Sequence, residues 1–293
     1  MTTTALVLGS GGQTGGAWQL GILAGLQDAG VDVTDADVVI GTSAGSVVGA
    51  QLRAGVPVDR LYADQLAPPT SELAARLGLR FRLMLLVAGA ISSDAQAFRR
   101  RVGARALRAK TIPADRRRAV VATRLPSDTW TDRSLRIVTI DAATGEDVVF
   151  DRDTGVSLVD AVAASCAVPT VWPCTPINGR RFMDGGMRSW VNADLAAGAA
   201  RIVVLAPMHG GGGRAPQRSR SRKAQGITRP VEEQVAVLRE TAAVALVTPD
   251  AQASAAMGSN ILDPARRKVS AEAGLCQSDR IADEVREVWT LAG

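Results

Sequence analysis

Gly41-Thr42-Ser43-Ala44-Gly45 places a serine between two glycines, each two residues away, directly after the apolar run Val38-Val39-Ile40. A strand that turns into a helix through Gly-x-Ser-x-Gly forms a nucleophile elbow. The turn is so tight that only glycine fits at either flank, and the serine hydroxyl stands at its apex. Five residues with three fixed recur by chance, so the pattern gains weight from its company. Upstream lies a glycine-rich loop, Gly9-Ser10-Gly11-Gly12, and far downstream Asp184-Gly185-Gly186. Acyl transfer by serine needs a hydroxyl, a base to take its proton and donors for the developing oxyanion. The three motifs could supply all of these. Ser43 is the candidate nucleophile, and Gly41 and Gly45 form its elbow. Asp184 is the candidate base, with Gly185 and Gly186 supporting its loop. Gly9, Ser10, Gly11 and Gly12 are the candidate oxyanion hole.

The choice of base is narrowed by a scarcity: the chain contains one histidine, His209. The order Ser43, Asp184, His209 matches the triad order of α/β-hydrolases. In that fold, however, several strands precede the elbow, whereas here the serine follows only the second. His209 also borders the Gly210–Gly213 run, a poor place to hold a base within ~3 Å of Ser43. A Ser43–Asp184 dyad fits better. Aspartate is a weak base at its reference pKa of ~3.9, but burial raises that value, and glycine neighbours let it approach the serine closely. Asp-Gly is also ordinary turn chemistry, and only the other two motifs favour the base. The Gly9–Gly12 loop opens a helix, whose N–H groups suit an oxyanion or a phosphate. Dinucleotide spacing fails at Thr14, and no acidic residue follows the second strand, which argues against a nucleotide.

The elements that must carry these motifs follow from the pattern. Ala5–Leu8 reads as a buried parallel strand that stops at the glycines, and Asp37–Ile40 as a second leading to the elbow. Between them Gly15–Ala29 reads as a helix with Trp18, Ile22 and Leu26 on one face, ended by Gly30. Another helix follows Ser43 through Ala54. Residues 57–118 read as mostly helical. Within them Leu79–Ile91 is either an ordinary core helix or an amphipathic lid over an apolar site. Leu135–Ile140 and Asp147–Phe150 form a hairpin around Ala143-Thr144-Gly145. Ser157–Ala167 is a helix stopped by Pro169, and Asn178-Gly179 turns into a strand, Arg181–Met183, that delivers Asp184. Arg201–Ala206 and Val244–Val247 read as buried strands, Val231–Ala242 as a helix, and Pro264–Trp289 as two closing helices. Gly210–Gly226 is a low-complexity Gly/Arg-rich stretch expected to be flexible. With no repeat and no clean linker, residues 1–293 are expected to form one domain with a core at about 5–205, and strand β–loop–α crossovers imply a mainly parallel sheet.

Composition removes several function classes. Hydrophobic residues make up 46% of the chain, enough for a core, with aromatics at 3%. The net charge of +5 concentrates in Arg76–Arg124 and Arg214–Lys223. These clusters read as solvated faces or as attraction to anionic headgroups, and the scarcity of aromatics argues against nucleic acid. Cys166, Cys174 and Cys276 are odd in number and lack CxxC spacing, so neither a metal site nor a disulfide framework is expected, in keeping with a reducing cytosol. The N-terminal residues lack a charged n-region, so no signal peptide is read there, and no apolar run approaches ~18 residues. A cytoplasmic protein, peripheral to a membrane through its arginine-rich segments, is the expectation.

Together the three motifs resemble the patatin-like phospholipase family, which joins a glycine-rich oxyanion loop, Gly-x-Ser-x-Gly on the next strand and a distal Asp-Gly-Gly. Ala17-Trp18-Gln19-Leu20-Gly21-Ile22-Leu23 and Ala164-Ser165-Cys166-Ala167-Val168-Pro169 also look familial. The resemblance implies a three-layer α/β/α fold and a Ser43–Asp184 dyad that hydrolyses lipid acyl esters through an acyl-enzyme, with oxyanion donors from Gly11 and Gly12 and no metal or cofactor. One departure stands out: the family loop usually carries Arg or Lys just before its last glycine, where this chain has Thr14 ahead of Gly15. Two alternatives follow from the same fold, a non-catalytic lipid- or membrane-binding protein and an acyltransferase using the same serine.

Overall fold

The computed structural model describes residues 3–68, 75–208 and 230–290. His209 and the Gly210–Gly226 stretch lie outside the described residues. Among those described, an eight-stranded sheet runs β5-β6-β3-β2-β1-β7-β8, with β4 paired beside β3. Its strands are β1 Thr4–Leu8, β2 Val38–Gly41, β3 Ser134–Asp141, β4 Asp147–Phe150, β5 Thr175–Ile177, β6 Arg180–Asp184, β7 Arg201–Leu205 and β8 Ala243–Val247. The β3-β2-β1-β7-β8 stretch is parallel, while β4, β5 and β6 pair antiparallel.

Side chains of β1 alternate across the sheet, as period-two geometry demands. Leu6 and Leu8 enter a core with Trp18, Ile22 and Leu26, whereas Ala5 and Val7 enter another with Val231, Val235 and Leu238. Helices therefore cover both faces, in the three-layer α/β/α arrangement that the family resemblance implied. On the first face lie α1 (Gly12–Asp28), α2 (Ala44–Arg53), α7 (Leu158–Ser165) and α10 (Arg267–Thr290); α8 (Val231–Leu238) lies on the second. Residues 57–122 give α3 (Val58–Leu66), α4 (Leu79–Ile91), α5 (Ala95–Ala106) and α6 (Ala114–Ala122).

Two details differ from the sequence reading. The expected pair of closing helices is one continuous 24-residue helix, α10, entered through a short 3-10 turn at Pro264–Arg266. Mid-helix Gly274 does not break it. There the backbone of α1 comes so close that a β-carbon on Gly274 would collide with the Trp18 carbonyl. An additional helix, α9 (Ala251–Met257), follows β8. Asp250 caps it, accepting the Ala253 N–H at 2.8 Å.

Candidate active site

β1 and β2 run side by side and end together at Leu8 and Gly41. From Gly41 the chain reverses through Ser43, at φ 53° and ψ −117°, into α2. This is a conformation that non-glycine residues adopt only where the surroundings hold them there. The flanking glycines are required by contact and not by a left-handed backbone. A β-carbon on Gly41 would lie 2.6 Å from Ser46 Cα, and one on Gly45 would collide with the Leu8 carbonyl. The elbow is thus pressed against the end of β1, which forces the Ser43 hydroxyl outward.

Asp184 arrives from the other side. β6 runs antiparallel to β3 and stops with Asp184 opposite Thr139, two residues beyond Ile137, the partner of Gly41. Ser43 is 7% exposed and Asp184 4% exposed, and the Ser43 hydroxyl is close enough to lower the pKa of the Asp184 carboxyl. Burial pushes the Asp184 carboxyl up to about 6, and hydrogen bonds from Gly186 N–H and Ser43 pull it partly back. The Gly186 N–H donates to Asp184 Oδ1 at 2.7 Å. Gly185 packs so tightly that a β-carbon there would strike the Val138 carbonyl.

The glycine-rich loop divides into two pairs. Gly9 N–H donates to the Leu205 carbonyl at 3.0 Å and Ser10 N–H to the Trp190 carbonyl at 2.6 Å, so both amides are already engaged. The amides of Gly11 and Gly12 have no hydrogen-bond partner among the described residues. They stand at the N-terminus of α1, where four helical N–H groups lack internal acceptors and the dipole favours negative charge. Gly12 sits at φ 59°, with Ile261 O against the space a side chain would need. Thr14 is fully buried, its N–H on Ile261 O at 3.1 Å and its hydroxyl without a hydrogen-bond partner. The Ser10 hydroxyl is likewise buried without one.

Two cavities flank Ser43. The larger, about 400 Å³, is bounded by Gln13, Gln51, Arg117, Arg124 and Trp172. The smaller, about 80 Å³, is apolar, with Leu77, Phe81, Leu85 and Met187 beside Ser43 and Asp184.

A family profile described as patatin-like phospholipase matches residues 6–197. The chain belongs to the patatin-like phospholipase family. No curated protein matches it. Among solved structures, VipD from Legionella pneumophila is similar at 13% identity and a TM-score of 0.47, and the type III effector protein ExoU at 14% and 0.41. Each likeness covers 97% of this chain, which spans 67% of the VipD chain and 53% of the ExoU chain. Membership supports lipid hydrolase activity for this chain.

Around Ser43 and Asp184, this family member carries a polar frame to which the sequence reading assigned no role. Ser165 Oγ accepts the Ser43 N–H at 2.9 Å and donates to Val138 O at 2.7 Å. Ser46 Oγ donates to Ser43 O at 2.6 Å, and the Cys166 thiol donates to the same oxygen at 3.3 Å. Asn192 Nδ2 ties the aspartate loop to the elbow, donating to Thr42 Oγ1 at 3.0 Å and Ser189 O at 2.8 Å. Arg188 forks onto Asp194 at 2.6 and 2.8 Å and reaches Asp147 at 2.8 Å, pinning the loop four residues past Asp184. Gln19 Nε2 donates to Gly9 O at 3.0 Å. Its signal in the sequence was an amide set between the apolar Trp18 and Leu20.

Proposed function

We propose that this chain is a serine lipid acyl hydrolase of the phospholipase A, lysophospholipase or esterase type, working through a Ser43–Asp184 dyad. The observation that carries the reading is the pairing of a serine in a strained backbone conformation with a buried aspartate whose carboxyl it influences. A carboxyl titrating at about 6 is mostly ionised at neutral pH yet far more basic than an ordinary aspartate. It takes the Ser43 proton as Oγ attacks the ester carbonyl. The oxyanion that forms is met by the Gly11 and Gly12 amides, with the positive end of α1 behind them. When the intermediate collapses, the C–O bond to the alcohol breaks and Asp184 returns the proton to the departing oxygen. Water, deprotonated by the same carboxylate, then attacks the acyl-Ser43 ester and frees the fatty acid. The apolar cavity suits the acyl chain.

Fluorophosphonate labelling of the wild type beside Ser43→Ala and Asp184→Asn, with p-nitrophenyl ester turnover on the same samples, tests this. Labelling and turnover that vanish in both variants support the dyad. A wild type that neither labels nor turns over would sink it, and activity that survives Asp184→Asn but not replacement of His209 would replace the dyad with a triad.

A further inference from the structure

Helix α4 is apolar on both sides. On its inner side Phe81, Met84, Leu85 and Ala88 pack with Phe98, Val102 and Met183. Phe81 and Leu85 also line the smaller cavity at Ser43 and Asp184. On its outer side Leu79, Leu83, Leu86, Val87 and Ile91 face solvent, with Leu79 71% and Leu86 68% exposed. Their spacing at i, i+4, i+7, i+8 and i+12 keeps them on one stripe. Five of the nine large apolar side chains exposed among the described residues lie on this helix. Concentration of that kind marks an interaction surface, since scattered exposed apolar residues are the norm.

The charge around the stripe identifies the partner. Residues 75–93 contain Arg76, Arg80 and Arg82 and no acidic residue. An apolar stripe edged only by cations is built for a surface that is apolar beneath and anionic on top, which is a bilayer carrying acidic lipids. Two copies of the stripe brought together would set like charges against each other. Trp190, 43% exposed, lines the same cavity, and its indole suits the headgroup level. No helix among the described residues is long and apolar enough to cross a membrane, so the geometry is that of a helix lying on the surface.

We propose that α4 is an interfacial helix that docks this protein on anionic membranes, with the apolar cavity on its inner side opening toward the bound lipid. An acyl chain can then pass from bilayer to Ser43 with little exposure to water. That last step rests on the hydrolase reading; the docking does not.

The test is flotation of the Ser43→Ala protein, which cannot degrade the vesicles, with phosphatidylcholine vesicles with and without phosphatidylglycerol. Binding is expected on the anionic vesicles and is expected to weaken with salt. Arg80→Gln and Arg82→Gln should each lower partitioning roughly fivefold. Leu79→Ser with Leu86→Ser should lower it by more than about tenfold, with an unchanged thermal unfolding midpoint showing that the fold persists. Binding that ignores all four substitutions would overturn the proposal. So would a dimer, seen by light scattering, that the leucine variants split, since the stripe would then belong to a second copy. Wild-type turnover of a soluble p-nitrophenyl ester separates the two readings. Flotation without turnover removes the hydrolase and leaves the docking helix, whereas turnover without flotation does the reverse.

Discussion

Around the elbow the backbone is fixed from several directions at once. Thr42 N–H is held by Leu8 O, Ser43 N–H by Ser165 Oγ, and Ser43 O by both Ser46 and Cys166. In α4, by contrast, Ala88 alone is fully buried, and the helix rests on the molecule through a few apolar side chains. The two regions meet at one small cavity. Positional accuracy is concentrated where atoms react, and the side from which an apolar substrate would enter is held only by non-directional contact, which tolerates sliding and tilting.

The largest effect should come from breaking the rigid side. Gly45→Ala puts a methyl group into the Leu8 carbonyl, and a loss of at least about 5 kcal/mol, seen as failure to fold by circular dichroism, is expected. Near-wild-type unfolding would show that the elbow has slack. Next is Asp184→Asn, which should lower ester turnover by at least about a thousandfold. The same substitution should raise stability at neutral pH. Asp184 titrates at about 6 in the folded chain against 3.8 for the ordinary group, so the folded state holds its proton longer. Its contribution is fully present below 3.8 and is lost as pH rises through 6, a cost of roughly 3 kcal/mol above that point. The asparagine variant should therefore melt several degrees above wild type at pH 8 and show no advantage at pH 4. Wild-type turnover should rise with pH through about 6 and then level off, and a profile flat between pH 5 and 7 would contradict Asp184 as the base.

A smaller effect is expected from Ser165→Ala, which leaves the Ser43 N–H and the Val138 carbonyl without their partner. About 1–3 kcal/mol of stability should go, measured by urea unfolding, along with part of kcat because the serine loses its anchor. The smallest effect sharpens the contrast: Leu86→Ser on the outer face of α4 should change unfolding free energy by less than about 0.5 kcal/mol. A loss of 2 kcal/mol there would mean that the outer face is part of the folded core.

What the sequence made legible follows the same division. Strands β1 and β2 were readable because parallel strands buried on both faces leave unbroken apolar runs, and Gly41, Gly45 and Gly185 stood in motifs where glycine has a steric reason. The nearness of Ser43 and Asp184, 141 positions apart in number, was legible only through the order of the motifs. Ser165 stood inside a segment that looked familial but carried no role, and Asn192 and Arg188 left no trace, since such a side chain acquires its partner only when distant segments meet. α4 stayed ambiguous for a physical reason. A helix apolar all round gives the same pattern whether its second face meets protein or something else. The closing segment is one helix and not two, and its Gly274, unfavourable in an isolated helix, is compensated by a close approach that only the third dimension shows.

That close approach has a consequence for when activity can begin. Gly21 and Gly25 of α1 face Ala271 and Ser278 of α10 as closely as Gly274 faces Trp18, and the Trp18 indole donates to Gln277 at 3.0 Å. The helix that presents Gly11 and Gly12 is therefore seated by a segment far downstream in the chain, made well after it. A nascent chain already carrying Ser43, Asp184, Gly11 and Gly12 should stay unreactive until α10 docks. Ribosome-stalled chains ending near residue 263 should fail to label with fluorophosphonate, and labelling at that length would show that α1 seats itself unaided.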